Sequence, residues 1–181
     1  MAPRKRLRLL SNPYFGRGWF FVTICTQGRA RYFERPALAT WIAARLRAIA
    51  AEQKFRLHAW CVMPDHLHIF IEGHADDADL REFVTRFKQQ TAYPFLRRFG
   101  GRLWQKNFYD HVVRPYEPTH PIFWYIWLNP VRKGLCADPR DYPFSGSETV
   151  DWKRTKPAAE TWSPPWKAEE QIEPQSMGNN P

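Results

Sequence analysis

The sequence predicts an α+β fold in which helices cover an antiparallel sheet. Three observations carry this. Four runs, at 18–27, 54–63, 66–73 and 108–114, have the β-branched and aromatic composition of strands. Apolar residues recur at helical spacing between the first and second runs, and again between the third and fourth. Pro64–Asp65 is a short turn signal that joins the second and third runs as a hairpin. The chain has 181 residues, enough for one domain with a sizeable core.

Taken in order, "GWFFVTICTQ" (18–27) reads as a central strand. A helix opens at Pro36, a residue tolerated in a first turn, and Leu38, Trp41, Ile42, Arg45, Leu46 and Ile49 mark its period. "KFRLHAWCVM" (54–63) and "HLHIFIEG" (66–73) form the hairpin. The acidic cluster Asp76, Asp77 and Asp79 suits the positive end of a second helix, whose buried stripe is Leu80, Phe83, Val84 and Phe87. Pro94 predicts a kink or an end to that helix. "FYDHVVR" (108–114) is the fourth strand. A third helix follows, with Thr119 as N-cap, Pro121 in its first turn and Gly134 as its stop. The first six elements match the ferredoxin-like βαββαβ pattern, with the added C-terminal helix behind them. Both crossover helices then cover one face of the sheet and leave the other free. Residues 1–13 read as a basic arm, 14–145 as the domain and 146–181 as a flexible, Pro-rich tail. Trp152, Trp162 and Trp166 are unusual in such a tail and suit docking on the domain or on a partner.

Composition narrows the function. Lysine and arginine number 27 against 18 acidic residues, a net charge of +9, which favours an anionic partner, nucleic acid being the commonest. Cys25, Cys61 and Cys136 are widely spaced, odd in number and form no CxxC pair, which argues against a disulfide scaffold or a zinc knuckle and for thiols in a reducing cytoplasm. No apolar run approaches the roughly 20 residues that cross a bilayer, so no membrane partner is expected.

The chemistry lies in the third strand. Side chains alternate along a strand. Leu67, Ile69 and Ile71 therefore face the helices, while His66, His68, Phe70 and Glu72 face the free side. Two neutral imidazoles one step apart can converge on one metal ion. The third helix supplies matching groups: Tyr125 and Asn129 are one turn apart, and share a stripe with Ile122 and Ile126 that packs on the free face. Pro130 removes the amide that would bond the carbonyl of Ile126, so the helix is expected to loosen just after Asn129.

"MPDHLH" (63–68), "WQKNFYDHVVR" (104–114) and "YIWLNPVRKGL" (125–135), in this order, resemble the REP-associated tyrosine transposases, members of the HUH class of single-strand DNA endonucleases. The resemblance runs from about Trp19 to about Ser145. It implies a divalent metal, Mg²⁺ or Mn²⁺, and cleavage of single-stranded DNA near hairpins through a covalent 5′-phosphotyrosine. His66 and His68 take the place of the metal pair, Tyr125 that of the nucleophile and Asn129 that of a third metal-binding group. Two positions depart from the family pattern: Asp65 stands where asparagine is common, and Trp127 where a histidine or polar residue is often found. The resemblance also implies a monomer or a homodimer, in a bacterial cytoplasm and on the nucleoid when DNA-bound.

Lys88, Trp104, Lys106, Arg114 and Arg132 flank the motifs and are the DNA-binding candidates, the cations for phosphates and the indole for stacked bases. Phe108, Tyr109 and Trp127 are further stacking candidates, and Arg4 to Arg8 suit a groove of a hairpin stem. A second reading is a domesticated module that binds structured nucleic acid without cutting it. A third, a hydrolytic metalloenzyme on another substrate, needs more acidic ligands than Glu72 alone supplies on that strand face.

Overall fold

A fully hydrogen-bonded central strand, β3 (His66–Gly73), organises the sheet. It pairs antiparallel with β1 (Gly18–Cys25) on one side and β2 (Phe55–Met63) on the other. β4 (Tyr109–Val113) joins the outer side of β1, and a two-residue β5 (Ser145–Gly146), not foreseen in the sequence, joins β2, giving the order β4-β1-β3-β2-β5. The computed structural model describes residues 12–170, so the arm from Arg4 to Arg8 and the last eleven positions lie outside the described residues. With α1 (Pro36–Glu52) and α2 (Leu80–Phe99) in the crossovers, the first six elements are the expected βαββαβ unit.

Alternation gives the sheet two separate cores. Phe20, Val22, Ile24, Leu57, Leu67, Ile69 and Ile71 point to α1 and α2, where they meet Ile42, Leu46, Ile49, Phe83 and Phe87. Phe21, Ala59, Cys61, Met63 and Phe70 point the other way and are covered by α3 (Thr119–Trp127). The residue run "HLHIFIEG" thus feeds both cores from one strand.

Four expectations change. α2 does not end near Pro94 but runs on to Phe99. A proline inside a helix costs about 3 kcal/mol. Here Phe95, one residue on, is buried against Tyr32 and Phe99, and burial of one such ring returns about 1.5–3 kcal/mol. The helix start is the one expected, with the Asp79 carboxylate accepting the amides of Arg81 at 2.8 Å and Glu82 at 3.2 Å. Thr119 is the first residue of α3 and not its cap; Pro118 holds that position and makes no side-chain cap bond. The helix breaks at Leu128, one residue earlier than expected, and resumes as the short α4 (Asn129–Arg132).

The fourth change concerns the tail. From Ser147 to Lys167 the chain runs across the free face and not away from it. Glu148 donates its amide to Leu57, Arg140 donates to the carbonyl of Lys153 at 2.7 Å, and Trp152 stacks on Trp127 at 5.2 Å. Composition marks this segment as polar and Pro-rich, but three large indoles bring enough apolar area to hold it.

Gly146 is the tightest point of this seam. A Cβ there would come within 2.2 Å of the Trp60 indole, while the Gly146 carbonyl accepts the Trp127 Nε1–H at 3.1 Å. Gly146→Ala is therefore expected to lower stability by about 1–3 kcal/mol through overpacking, read as a reduced urea midpoint with an unchanged m-value.

Candidate active site

The β1–β3–β2 register sets Cys25 and Met63 on either side of His66, and Thr23 and Cys61 on either side of His68. Both imidazoles are buried on the free face. Their Nε2 atoms meet at 3.0 Å with the rings nearly perpendicular. Each ring is gripped from behind through Nδ1, His66 by the Asp65 carboxylate at 2.6 Å and His68 by the Thr23 hydroxyl at 2.7 Å. Arg29 in turn holds the second Asp65 oxygen at 3.0 Å and rests another nitrogen on Cys25 Sγ at 2.8 Å.

Electrostatics keep the pair neutral. Burial pushes His68 well below the usual histidine range, and the charge His66 would carry if protonated, with those of Lys167 and Arg132, adds to it. Burial also lowers His66, with Asp65 pulling the other way. Burial opposes ionisation of Asp65, but the hydrogen bond from His66 and the charge of Arg29 help to outweigh it and hold the carboxyl below its ordinary value. Two neutral imidazoles with convergent nitrogens are what a divalent cation binds. Adjacent ligands at about 2.1 Å in an octahedral shell lie about 3 Å apart, close to the separation seen here. Among the described residues, no cluster of three or more His, Cys, Asp or Glu completes such a shell.

α3 lays Ile122, Tyr125 and Ile126 on this face and the start of α4 adds Asn129, completing the expected stripe, all buried. The Tyr125 ring stands edge-on to Phe21 at 5.8 Å and to His68 at 5.9 Å, so helix and strand bring the phenol to the histidine pair. Tyr125 is 6% exposed, and its hydroxyl is buried without a hydrogen-bond partner among the described residues. An unpaired buried hydroxyl costs about 1–3 kcal/mol. The C-terminal segment closes over it: Trp162 packs on the Tyr125 ring at 5.1 Å and on Phe21 at 4.9 Å, Trp166 stacks on Phe21 and Tyr109, and Lys167 Nζ lies 5.4 Å above the Tyr125 ring.

Asn129 caps the broken helix. Its Nδ2 donates to the carbonyls of Tyr125 at 2.9 Å and Ile126 at 3.3 Å, the second being the group that Pro130 leaves without an amide. No hydrogen bond joins it to either histidine. Arg132 donates to the same Tyr125 carbonyl, and its guanidinium covers the Tyr125 ring at 4.4 Å.

The other candidates separate. Trp104 is 6% exposed in the core under the helices, bonded to Thr91 Oγ1 at 2.8 Å and packed on Phe33 and Phe87, so it is no stacking platform. Trp127, 0% exposed, is likewise core. Lys88 turns inward, giving one ammonium proton to each of the carbonyls of Gln105, Lys106 and Asn107 at 2.9–3.1 Å. Burial pushes it down to about 8, and the three carbonyls work the other way by favouring the charged form. Lys106 and Arg114 are exposed, as is Tyr109. Sequence reasoning missed Thr23, Arg29 and Lys167. Alternation along β1 places Thr23 on the histidine face, but its partner depends on register. Arg29 reaches Asp65 from a 3₁₀ turn at a positive φ of 57°, which no pattern announces.

Comparison with known proteins fits this geometry. The model of the IS200-like transposases matches residues 18–116, which include both histidines and stop short of Tyr125. The chain is 28% identical over 150 residues to the REP-associated tyrosine transposase of Escherichia coli (strain K12), covering 76% of this chain and 85% of that protein. A solved REP-associated tyrosine transposase bound to a REP hairpin shares the fold, with a TM-score of 0.63 and 23% identity over 80% of this chain and 82% of that one. The family match takes in the whole of the four-stranded βαββαβ unit and more than half of the sequence, and the chain belongs to the IS200-like transposases.

Proposed function

We propose that this transposase cuts and rejoins single-stranded DNA beside REP-like hairpins through a covalent bond between Tyr125 and a 5′-phosphate, with Mg²⁺ or Mn²⁺ held by His66 and His68 and completed by Asn129, phosphate oxygens and water. The observation that carries this is the meeting of three side chains: two Nε2 atoms 3.0 Å apart on β3 and the Tyr125 ring 5.9 Å from His68.

A phenol ionises only near pH 10 and is a poor nucleophile at neutral pH. A bound divalent cation polarises the scissile phosphate and steadies its developing charge. The chain's own groups do the rest. Tyr125 Oη attacks phosphorus, forming the new O–P bond as the bond to the 3′ oxygen breaks. The phenol proton leaves, and the departing oxygen takes one up as a 3′-hydroxyl. Because the phosphodiester energy is kept in the tyrosyl ester, a 3′-hydroxyl can later attack and rejoin strands. Arg132 and Lys167 put positive charge beside the ring where a phosphate has to arrive. Lys106 and Arg114 are exposed for backbone contacts, and the relative bound to a REP hairpin supports hairpin DNA as the partner. Histidines and tyrosine come from one chain, which suits a monomer carrying a whole site, although a homodimer is compatible with it. Among the described residues, no helix is long and apolar enough to cross a membrane.

One observation favours the alternative, a non-cleaving binder of structured nucleic acid: Trp162 closes Tyr125 off, so DNA reaches the phenol only when that contact opens. Two measurements separate the readings. Incubated with Mn²⁺ and a hairpin-flanked single strand, the protein is expected to give a denaturant-resistant protein–DNA adduct that Tyr125→Phe abolishes and His68→Ala reduces strongly. An adduct persisting in Tyr125→Phe removes the nucleophile assignment, while tight hairpin binding indifferent to chelator, with no adduct even from a Trp162→Ala/Trp166→Ala variant, selects the binder. The same double variant is expected to expose the phenol. Nitration of Tyr125 by tetranitromethane, followed by mass spectrometry, should accelerate several-fold relative to Tyr116, which is 78% exposed in the intact protein.

A further inference from the structure

We infer that Thr23 is a positioning residue for the histidine pair, and that its hydroxyl lets His68 change tautomer when a divalent cation binds, while Asp65 keeps His66 in one tautomer throughout. The inference rests on the metal-pair reading above and extends it to the protons behind the pair.

Proton counting along the chain of contacts fixes the resting state. The groups run Asp65 Oδ1, His66 Nδ1, His66 Nε2, His68 Nε2, His68 Nδ1 and Thr23 Oγ1, at 2.6, 3.0 and 2.7 Å across the three gaps between residues. Two neutral imidazoles supply one N–H each and the threonine supplies one O–H, so three protons serve three gaps. An ionised carboxylate only accepts, so His66 carries its proton on Nδ1 and presents a lone pair at Nε2. The 3.0 Å gap then needs a proton from His68 Nε2. That leaves His68 Nδ1 as an acceptor, and Thr23 donates to it. No other placement of three protons satisfies all three gaps.

This resting state is half ready for a cation. His66 already offers Nε2 as a lone pair, with the carboxylate behind it raising its basicity. His68 does not, because its Nε2 carries the proton. To ligate, His68 loses the Nε2 proton and gains one at Nδ1, so the pair's proton count is unchanged. Thr23 Oγ1 then turns from donor to acceptor. A hydroxyl can do this by rotation; a carboxylate cannot. The two histidines are therefore held by different residue types for different tasks. Arg29, bound to the other Asp65 oxygen at 3.0 Å, keeps the fixed half fixed.

The test uses the full chain with ¹⁵N-labelled histidine. Long-range ¹H–¹⁵N spectra of the metal-free protein are expected to show His66 protonated at Nδ1 and His68 at Nε2, and titration with Mg²⁺ to convert His68 alone to the Nδ1–H form. Mn²⁺ affinity, measured by electron paramagnetic resonance, is expected to fall about 10–100-fold in Thr23→Val and to recover in Thr23→Ser. A simple packing role would not set the His68 tautomer, nor be rescued by the smaller serine. Finding His68 protonated at Nδ1 without metal, or unchanged affinity in Thr23→Val, overturns the inference. If wild type binds Mn²⁺ with no change at His68, the switch alone falls. If wild type binds neither Mn²⁺ nor Mg²⁺, the metal-pair reading falls and takes the switch with it.

Discussion

The constraint on which the rest depends is the two-residue period of a strand that is paired on both sides. β3 has no free edge, so its side chains have only the two faces of the sheet to choose from. α1 and α2 take one face entirely and make it apolar. Everything polar in "HLHIFIEG" must then sit on the other face, whatever the chemistry requires. A slip of one residue in the register would drive both imidazoles into the core under the helices and Leu67 out of it. That penalty is large, and it falls on every residue of the strand at once, so the position of the histidines is set by the burial of residues that take no part in the chemistry.

Burying two imidazoles side by side is unfavourable unless each nitrogen has a partner. The fold supplies partners from three different origins: the preceding turn gives Asp65, the neighbouring strand gives Thr23, and each histidine gives the other. Desolvation keeps the rings neutral, which is also the state a cation needs. The stabilising arrangement and the ligand-ready arrangement are thus nearly the same one. Tyr125 is the exception: among the described residues its hydroxyl is buried and unpartnered, while both imidazoles, Asp65 and Thr23 have partners. Within reach of the paired histidines this is the arrangement the proposed attack on phosphate calls for, and it adds nothing to stability.

The sequence carried the period-two and period-3.6 patterns, and with them the βαββαβ order, the face of each histidine and the stripe that brings Tyr125 over the sheet. It did not carry what depends on competition between distant groups. Pro94 signals a helix end, yet Phe95 and its aromatic neighbours hold the helix together. Trp104 and Lys88 read as an aromatic and a cation beside a DNA motif, but one is core and the other ties a loop, because composition does not say which way a side chain turns. Thr23 was invisible for a related reason: its role exists only once β1 is placed against β3 in one register.

The broken helix shows how such local and distant effects combine. Pro130 must leave the Ile126 carbonyl without its amide, and a carbonyl orphaned in a buried helix invites water or disorder. Asn129 fills that gap from its side chain, and Asn129 and Arg132 both donate to the neighbouring Tyr125 carbonyl in the same turn. The turn is therefore held by side chains that can let go, in a place where an unbroken helix would be held by its backbone. With Trp162 and Lys167 laid over the same ring, the phenol sits on an element secured by reversible contacts on both sides. The histidines opposite are locked into a sheet. A rigid pair facing a tyrosine on a releasable mount is the arrangement the proposed reaction requires: a nucleophile that meets one strand, carries it, and gives it up to another.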